Sequence, residues 1–207
     1  MVAVSAAAYL ADEGRTSLYA WIMVAGSVPM ALIAWSLARH YFRSEFRSPD
    51  AIGVGVVKAE VRAISGSIVA GCFLALVATV LSLWFPMKPM EDSHIALMLE
   101  NGEALKIAWL LSGIIVAPMT EEILFRGVLL GALSRHLGFL SASLISTMAF
   151  VTIHLPQLGG YAVAIACIAL LGFLAAVARR VSCSIWGSIA LHASYNLALA
   201  ISGSLLN

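Results

Sequence analysis

Residues 105–133 read LKIAWLLSGIIVAPMTEEILFRGVLLGAL, and they decide the fold because two adjacent carboxylates and an arginine interrupt an otherwise apolar stretch. A stretch of this length is sufficient to cross a bilayer, which takes about 20 residues in an α-helix. Each charged group at the bilayer centre costs about 2.5–3.5 kcal/mol. Glu121, Glu122 and Arg126 therefore need partners or a function.

The rest of the sequence has the same apolar character. Of the 207 residues, 61% are hydrophobic and 11% are charged, and the mean hydropathy is +0.97. Apolar runs of roughly 20 residues recur along the chain, so the sequence predicts an integral membrane protein with the lipid bilayer as its surroundings. A formal net charge of +1 without a cationic block gives no support for nucleic acid as a partner.

Charges at the ends of the hydrophobic segments predict their orientation. Basic residues cluster between residues 39 and 62, at Arg135, and at Arg179 and Arg180. The positive-inside rule places these ends in the cytoplasm and both chain termini outside. Pro118 is expected to kink or break the third segment. The predicted spans are 18–38, 64–85, 105–133, 140–155, 161–177 and 184–205.

No repeat, linker or low-complexity tract divides the sequence, so residues 1–207 are predicted to form a single membrane domain. Packed helices satisfy backbone polar groups within lipid, and we expect an all-α, polytopic transmembrane bundle of about six to eight helices. Cys72, Cys167 and Cys183 lie far apart in apolar runs without a C-x-x-C pattern, and we expect free thiols.

The intramembrane charges differ in their need for partners. Glu122 and Arg126 are four residues apart in the favourable acid-before-base order, and we interpret them as a structural ion pair. Glu121 points about 100° away from Glu122 around the helix. It therefore needs a partner from another helix, a proton or a water-filled pocket. His192 and Asn196 are also four residues apart and share one face of the last span.

Four polar residues are predicted to lie at a similar depth in the membrane. With a rise of about 1.5 Å per residue, Glu121 and His154 lie roughly 21 Å from the inner ends of their helices. Asn196 lies roughly 18 Å from the inner end of its helix, and His192 lies about one turn lower. Three separate helices therefore offer polar groups to one layer, as a buried active site requires.

These residues resemble the motifs of the CAAX-protease and bacteriocin-processing family of intramembrane proteases, also called the CPBP or Abi family. The three motifs read EEILFR at residues 121–126, FVTIH at residues 150–154 and HASYN at residues 192–196. All three are intact and occur in the family's order. The resemblance covers a protease-like core at 105–200 and does not extend to the first two spans.

The resemblance implies a helical fold with a catalytic cavity inside the membrane, and endopeptidase activity on a membrane-associated protein or peptide. In the family, the first glutamate and the second motif's histidine activate water, and the last histidine and asparagine stabilise the oxyanion. These roles fall on Glu121 with His154 and on His192 with Asn196. The substrate does not carry over, because family members trim prenylated C-terminal motifs or serve bacteriocin maturation or immunity. A bacterial-type inner (plasma) membrane is the expected location.

Three alternatives stay open at this point. One carboxylate and two histidines form a plausible zinc ligand set, although no H-E-x-x-H occurs and asparagine is an uncommon zinc ligand. We expect that no cofactor is required. A non-catalytic immunity or scaffold protein could bind a partner through the same polar pocket. A transporter could use intramembrane acids as a proton relay, but no half-to-half symmetry is visible in the sequence.

Overall fold

The computed structural model describes residues 13–42, 54–85 and 103–206 of the chain. These residues are helical apart from short connections, and no strand occurs among them, so the prediction of an all-α fold is confirmed. The helices are α1 (Glu13–Tyr41), α2 (Val61–Trp84), α3 (Glu103–Leu111), π1 (Ser112–Val116), α4 (Ala117–Glu122), π2 (Ile123–Leu129), α5 (Leu130–Leu158), α6 (Ala162–Ser182) and α7 (Ile185–Leu206).

Within the described ranges, three helical segments are long and apolar enough to cross a membrane. They are Val61–Trp84, Ala104–Leu158 and Ala162–Ser182, the second of which runs from α3 to α5. Their composition indicates an integral membrane protein, while the number of six to eight helices stays a prediction. Residues 1–12, 43–53 and 86–102 lie outside the described residues, and the second of these ranges belongs to the basic region between residues 39 and 62.

The third segment is not broken at Pro118, where the sequence predicted a kink or a break. The helix continues through Pro118 at the second position of α4, with the π-helical turns π1 and π2 on either side of α4. The Ala117 N–H donates to the Ser112 carbonyl, five residues back. We attribute the continuity to this wider turn, which gives room for a proline ring that would crowd a regular α-helical turn.

A reversal at Gly138 divides α5 into two helical arms. Gly138 has φ 70° and ψ 167°, a backbone conformation that glycine adopts without a Cβ clash. The second arm then folds back along the preceding helix, since the Ser146 hydroxyl donates a hydrogen bond to the Phe125 carbonyl at 2.8 Å. This turn falls between the predicted spans 105–133 and 140–155. It brings the second motif beside the first.

Small residues allow α2 and α7 to pack closely. The buried face of α2 includes Ser67, Gly71, Ala75 and Ala78, a spacing that places small side chains in one helical stripe. A Cβ at Gly71 would collide with the Leu191 carbonyl and the Ser194 hydroxyl of α7. This close contact holds α7, which carries the third motif, against the bundle.

The predicted cytoplasmic ends of the helices meet at one end of the bundle. The Ile185 N–H donates to the Gly55 carbonyl at 2.8 Å, which ties the segment before α2 to the start of α7. The Arg180 guanidinium lies 4.4 Å from the centre of the Phe139 ring. Arg179 is fully buried against Gly55, and α6 therefore continues past the predicted end at residue 177. The side of the membrane on which this end lies stays a prediction.

Candidate active site

Glu122 and Arg126 form the buried ion pair that their spacing predicts. The Arg126 Nη1 donates to Glu122 Oε1 at 3.0 Å, and both side chains are fully buried. The pair lies on one face where α4 passes into π2. Mutual neutralisation offsets the cost of placing each charge in an apolar bundle.

Arg126 is further held by two groups from other parts of the bundle. Its Nη2 donates to the Gly172 carbonyl of α6 at 3.0 Å, and its Cζ lies 4.2 Å from the centre of the Phe150 ring. The Phe150 side chain is completely buried. These contacts give the guanidinium a neutral acceptor, a carboxylate and an aromatic face, which replace part of its hydration. Its Nε is buried and has no hydrogen-bond partner among the described residues.

Glu121 faces two histidines from different helices. The Glu121 Oε2 lies 3.8 Å from His154 Nε2 in the second arm of α5, and 3.8 Å from His192 Nε2 in α7. Among the described residues this oxygen is buried and has no hydrogen-bond partner. The structure thus places these three side chains together, and the partner that Glu121 requires comes from other helices. Their catalytic roles stay predictions.

Contacts at the second ring nitrogen assign the tautomer of each histidine. His154 Nδ1 lies 2.8 Å from the Phe150 carbonyl, which can only accept, so Nδ1 carries the proton. His192 Nδ1 lies 2.8 Å from Glu122 Oε1, the same oxygen that Arg126 contacts, and it also donates. In both neutral rings, the nitrogen that faces Glu121 is therefore an acceptor.

Asn196 lies one turn beyond His192, and its amide has a partner in π1. The Asn196 Nδ2 donates to the Gly113 carbonyl at 2.8 Å. No hydrogen bond joins Asn196 to Glu121 or His154 within the described part of the chain. An amide nitrogen has two hydrogens, so one donor remains beyond the bond to Gly113.

A cleft of about 250 Å³ lies beside α2, α6 and α7, away from the charged cluster. Its lining includes Thr79, Tyr161, Tyr195 and Cys167. None of the four predicted catalytic residues lines it, so the expected cavity around them stays a prediction. The three cysteines are free, as predicted.

Two residues at the centre of the cluster had no assigned role in the sequence interpretation. The Phe150 ring contacts both histidines, with ring centroids 4.5 Å from His154 and 5.7 Å from His192. Its place in the FVTIH motif, four residues before His154, was the available signal. Gly172 had no comparable signal, because its contribution is a backbone carbonyl.

The helices and the cluster define a class of protein: a membrane-type helical bundle in which one carboxylate and two imidazoles converge from three helices. Residues 103–198, just under half of the chain, match the family model described as Type II CAAX prenyl endopeptidase Rce1-like. The segment that carries the motifs is therefore similar to the Rce1-like family, and the resemblance predicted from the sequence is confirmed. No curated protein and no solved structure matches the chain.

The family model that this segment matches describes an endopeptidase, an enzyme that acts on proteins or peptides. The matched range lies close to the predicted core at 105–200, and the single-domain organisation of 1–207 stays a prediction. Both predicted members of the water-activating pair and both predicted oxyanion donors lie within the matched range.

Proposed function

We propose that this protein is an intramembrane endopeptidase that cleaves a peptide bond in a membrane-associated protein or peptide. One observation carries the proposal: the Glu121 carboxylate faces the Nε2 atoms of His154 and His192 at 3.8 Å each. The three groups come from separate helices of an apolar bundle, in a segment that matches a protease family. Intramembrane ionisable residues are costly and mark functional sites.

Glu121 and His154 are proposed to activate the attacking water. The side chains of Glu121 and His154 are 21% and 14% exposed, so both are partly accessible, and the buried Glu121 Oε2 still lacks a hydrogen-bond partner that a water could supply. The His154 Nε2 accepts a hydrogen bond, because its Nδ1 proton is held by the Phe150 carbonyl. A water bound to both groups gives one proton to Glu121 as its oxygen attacks the carbonyl carbon. General-base catalysis of this kind contributes about 10²–10⁴-fold.

His192 and Asn196 are proposed to stabilise the negative oxygen that develops on the attacked carbonyl. The second Asn196 amide hydrogen is available for this role, since only one bond to the Gly113 carbonyl is made. When the tetrahedral intermediate collapses, the C–N bond breaks and the proton on Glu121 passes to the leaving nitrogen. The protein therefore returns to its starting charge.

The substrate is proposed only at the level of a membrane protein or peptide. The description of the matched family names a CAAX prenyl endopeptidase. We do not propose a C-terminal CAAX motif as the substrate of this protein. We expect the protein to act in a bacterial-type inner (plasma) membrane.

The proposal is tested by comparing peptides from membranes of cells that carry the wild type, Glu121→Gln or Glu60→Gln. Glu60 is exposed and precedes α2, so its variant controls for the loss of one carboxylate. We expect at least one peptide to change length in Glu121→Gln and none in Glu60→Gln. Identical peptide profiles in all three strains would overturn the proposal.

A zinc-dependent form of the same protease is the first alternative. Glu121, His154 and His192 have ligand atoms that zinc accepts. Among the described residues, however, no three His, Cys, Asp or Glu side chains are spaced to hold a metal ion. That no cofactor is required stays a prediction. Loss of cleavage by purified protein with a chelator, and recovery with zinc, would favour the metal-dependent form.

A non-catalytic immunity or scaffold protein is the second alternative. In that case the cellular phenotype depends on the packed bundle and not on the acid. Glu121→Ala and His154→Ala would then leave the phenotype unchanged, while Gly71→Ile, which forces α2 away from α7, would abolish it. The protease proposal expects all three variants to lose the phenotype.

A further inference from the structure

Glu122 makes a contact that an ion pair within one helix does not explain. Its Oε1 accepts from Arg126 Nη1 at 3.0 Å and also from His192 Nδ1 of α7 at 2.8 Å. Glu122 is fully buried and His192 is 3% exposed. The pair that neutralises the charge is therefore also attached to a proposed oxyanion donor.

We propose that Glu122 is a positioning residue that fixes the ring and the tautomer of His192; this inference rests on the proposed function. With Nδ1–H held by Glu122, the Nε2 atom is directed towards Glu121 at 3.8 Å. The Phe150 and His192 rings pack edge to face, with an angle of 84° between their planes, and this contact fixes the rotation of the His192 ring. Partners at the second nitrogen of a histidine commonly set its tautomer and direction.

This arrangement specifies the form in which His192 can act. A neutral His192 has its proton on Nδ1, so its Nε2 repels a developing oxyanion. His192 donates from Nε2 only as an imidazolium, with both nitrogens protonated. The Glu122 carboxylate at 2.8 Å compensates that positive charge.

The remaining contacts of Arg126 hold Glu122 in place from the opposite side. Arg126 bonds to the Gly172 carbonyl at 3.0 Å and packs on Phe150. The contacts thus run from the Gly172 carbonyl of α6 to the Arg126 guanidinium, from there to the Glu122 carboxylate, and then to the His192 ring. A change at Glu122 is transmitted to the reaction through the orientation of His192.

The tautomer can be observed without any assay of activity. Protein labelled with ¹⁵N-histidine is examined by NMR in lipid nanodiscs, and the loss of a resonance in His192→Gln assigns His192. We expect protonated Nδ1 in the wild type. In Glu122→Met/Arg126→Met, which removes both charges together and leaves neither unpaired, we expect His192 to lose this preference. An unchanged His192 resonance in that variant would overturn the proposal.

A second variant keeps the test decisive if the double variant does not yield monodisperse protein. Glu122→Asp retains the charge that Arg126 requires, and it shortens the side chain by one C–C bond of about 1.5 Å. We expect a shifted His192 resonance and a lower kcat. A wild-type resonance with a wild-type kcat would contradict the positioning role.

The kinetic test uses an internally quenched fluorescent peptide that the purified wild type cleaves. We expect Glu122→Met/Arg126→Met to lower kcat by about 10²–10³-fold, with KM nearly unchanged, as for the loss of one oxyanion donor. The same change in a His192→Gln background should cost little more, because both act through one group. If the losses in kcat from His192→Gln and from Glu122→Met/Arg126→Met multiply when combined, the proposal is overturned. Cleavage insensitive to Glu121→Gln would instead reject the proposed function and leave the NMR result standing.

Discussion

Replacing Arg126 with Gln tests whether the buried pair is held together by charge. The substitution leaves the fully buried Glu122 carboxylate without its cationic partner. Breaking a buried pair in this way costs about 3–5 kcal/mol. For a chain of this size, 1 kcal/mol shifts Tm by about 2–4 °C, so the expected loss is about 6–20 °C.

The double variant Glu122→Gln/Arg126→Gln separates charge from hydrogen bonding. Both variants remove the Arg126 donor from the Gly172 carbonyl, a loss of about 1–3 kcal/mol that cancels in their comparison. Only the single variant leaves an unpaired buried charge. We therefore expect the double variant to recover at least half of the Tm lost by Arg126→Gln.

The assay is thermal unfolding of purified protein in one detergent, followed by the loss of the monodisperse peak in size-exclusion chromatography. Arg62→Gln is the matched control, because Arg62 is exposed at the start of α2. We expect its Tm to stay within about 2 °C of the wild type, as for most surface substitutions. A double variant no more stable than Arg126→Gln would refute the role of charge pairing.

Three further variants follow from close contacts and from the proposed site. A Cβ at Gly172 would lie 3.0 Å from Arg126 Nη2 and 3.3 Å from Phe150 Cδ1. Gly172→Ala should therefore lower Tm in the same detergent assay. Gly66→Ala is the control and should leave Tm unchanged, because a Cβ there meets nothing within 4 Å. Gly71→Ile should cost at least about 1–3 kcal/mol by separating α2 from α7, and a wild-type Tm would contradict that packing. Asn196→Ala should lower kcat by about 10²–10³-fold on a cleaved peptide, and a smaller effect would remove it from the oxyanion site.

Hydropathy and spacing predicted the parts of the fold that depend on local sequence. The predicted bounds of spans 105–133 and 140–155 leave a short charged, glycine-containing segment between two apolar runs, and the turn lies in it, at Gly138. The end of α6 was placed too early. Hydropathy treats Arg179 as solvent-exposed, whereas its side chain packs against Gly55, more than a hundred residues away in sequence.

In the candidate site, too, the contacts within one helix could be predicted from the sequence and the contacts between helices could not. The pairing of Glu122 with Arg126 is an i,i+4 contact and could be read from the sequence. The second bond from Glu122, to His192, depends on how α7 is rotated against α4, and no local pattern specifies that rotation. Pro118 shows the converse, because a residue that commonly breaks helices is accommodated beside a π-helical turn.

The proposed role of Glu121 as the base is tested most directly by the rate of peptide cleavage in purified protein. Glu121→Gln keeps the size of the side chain and removes the base that faces His154 and His192 at 3.8 Å. The measurement is kcat on an internally quenched peptide for the wild type, Glu121→Gln and the exposed control Glu60→Gln. We predict a loss of at least about 10²-fold for Glu121→Gln and wild-type kcat for Glu60→Gln. Equal rates for the wild type and Glu121→Gln would contradict the proposal.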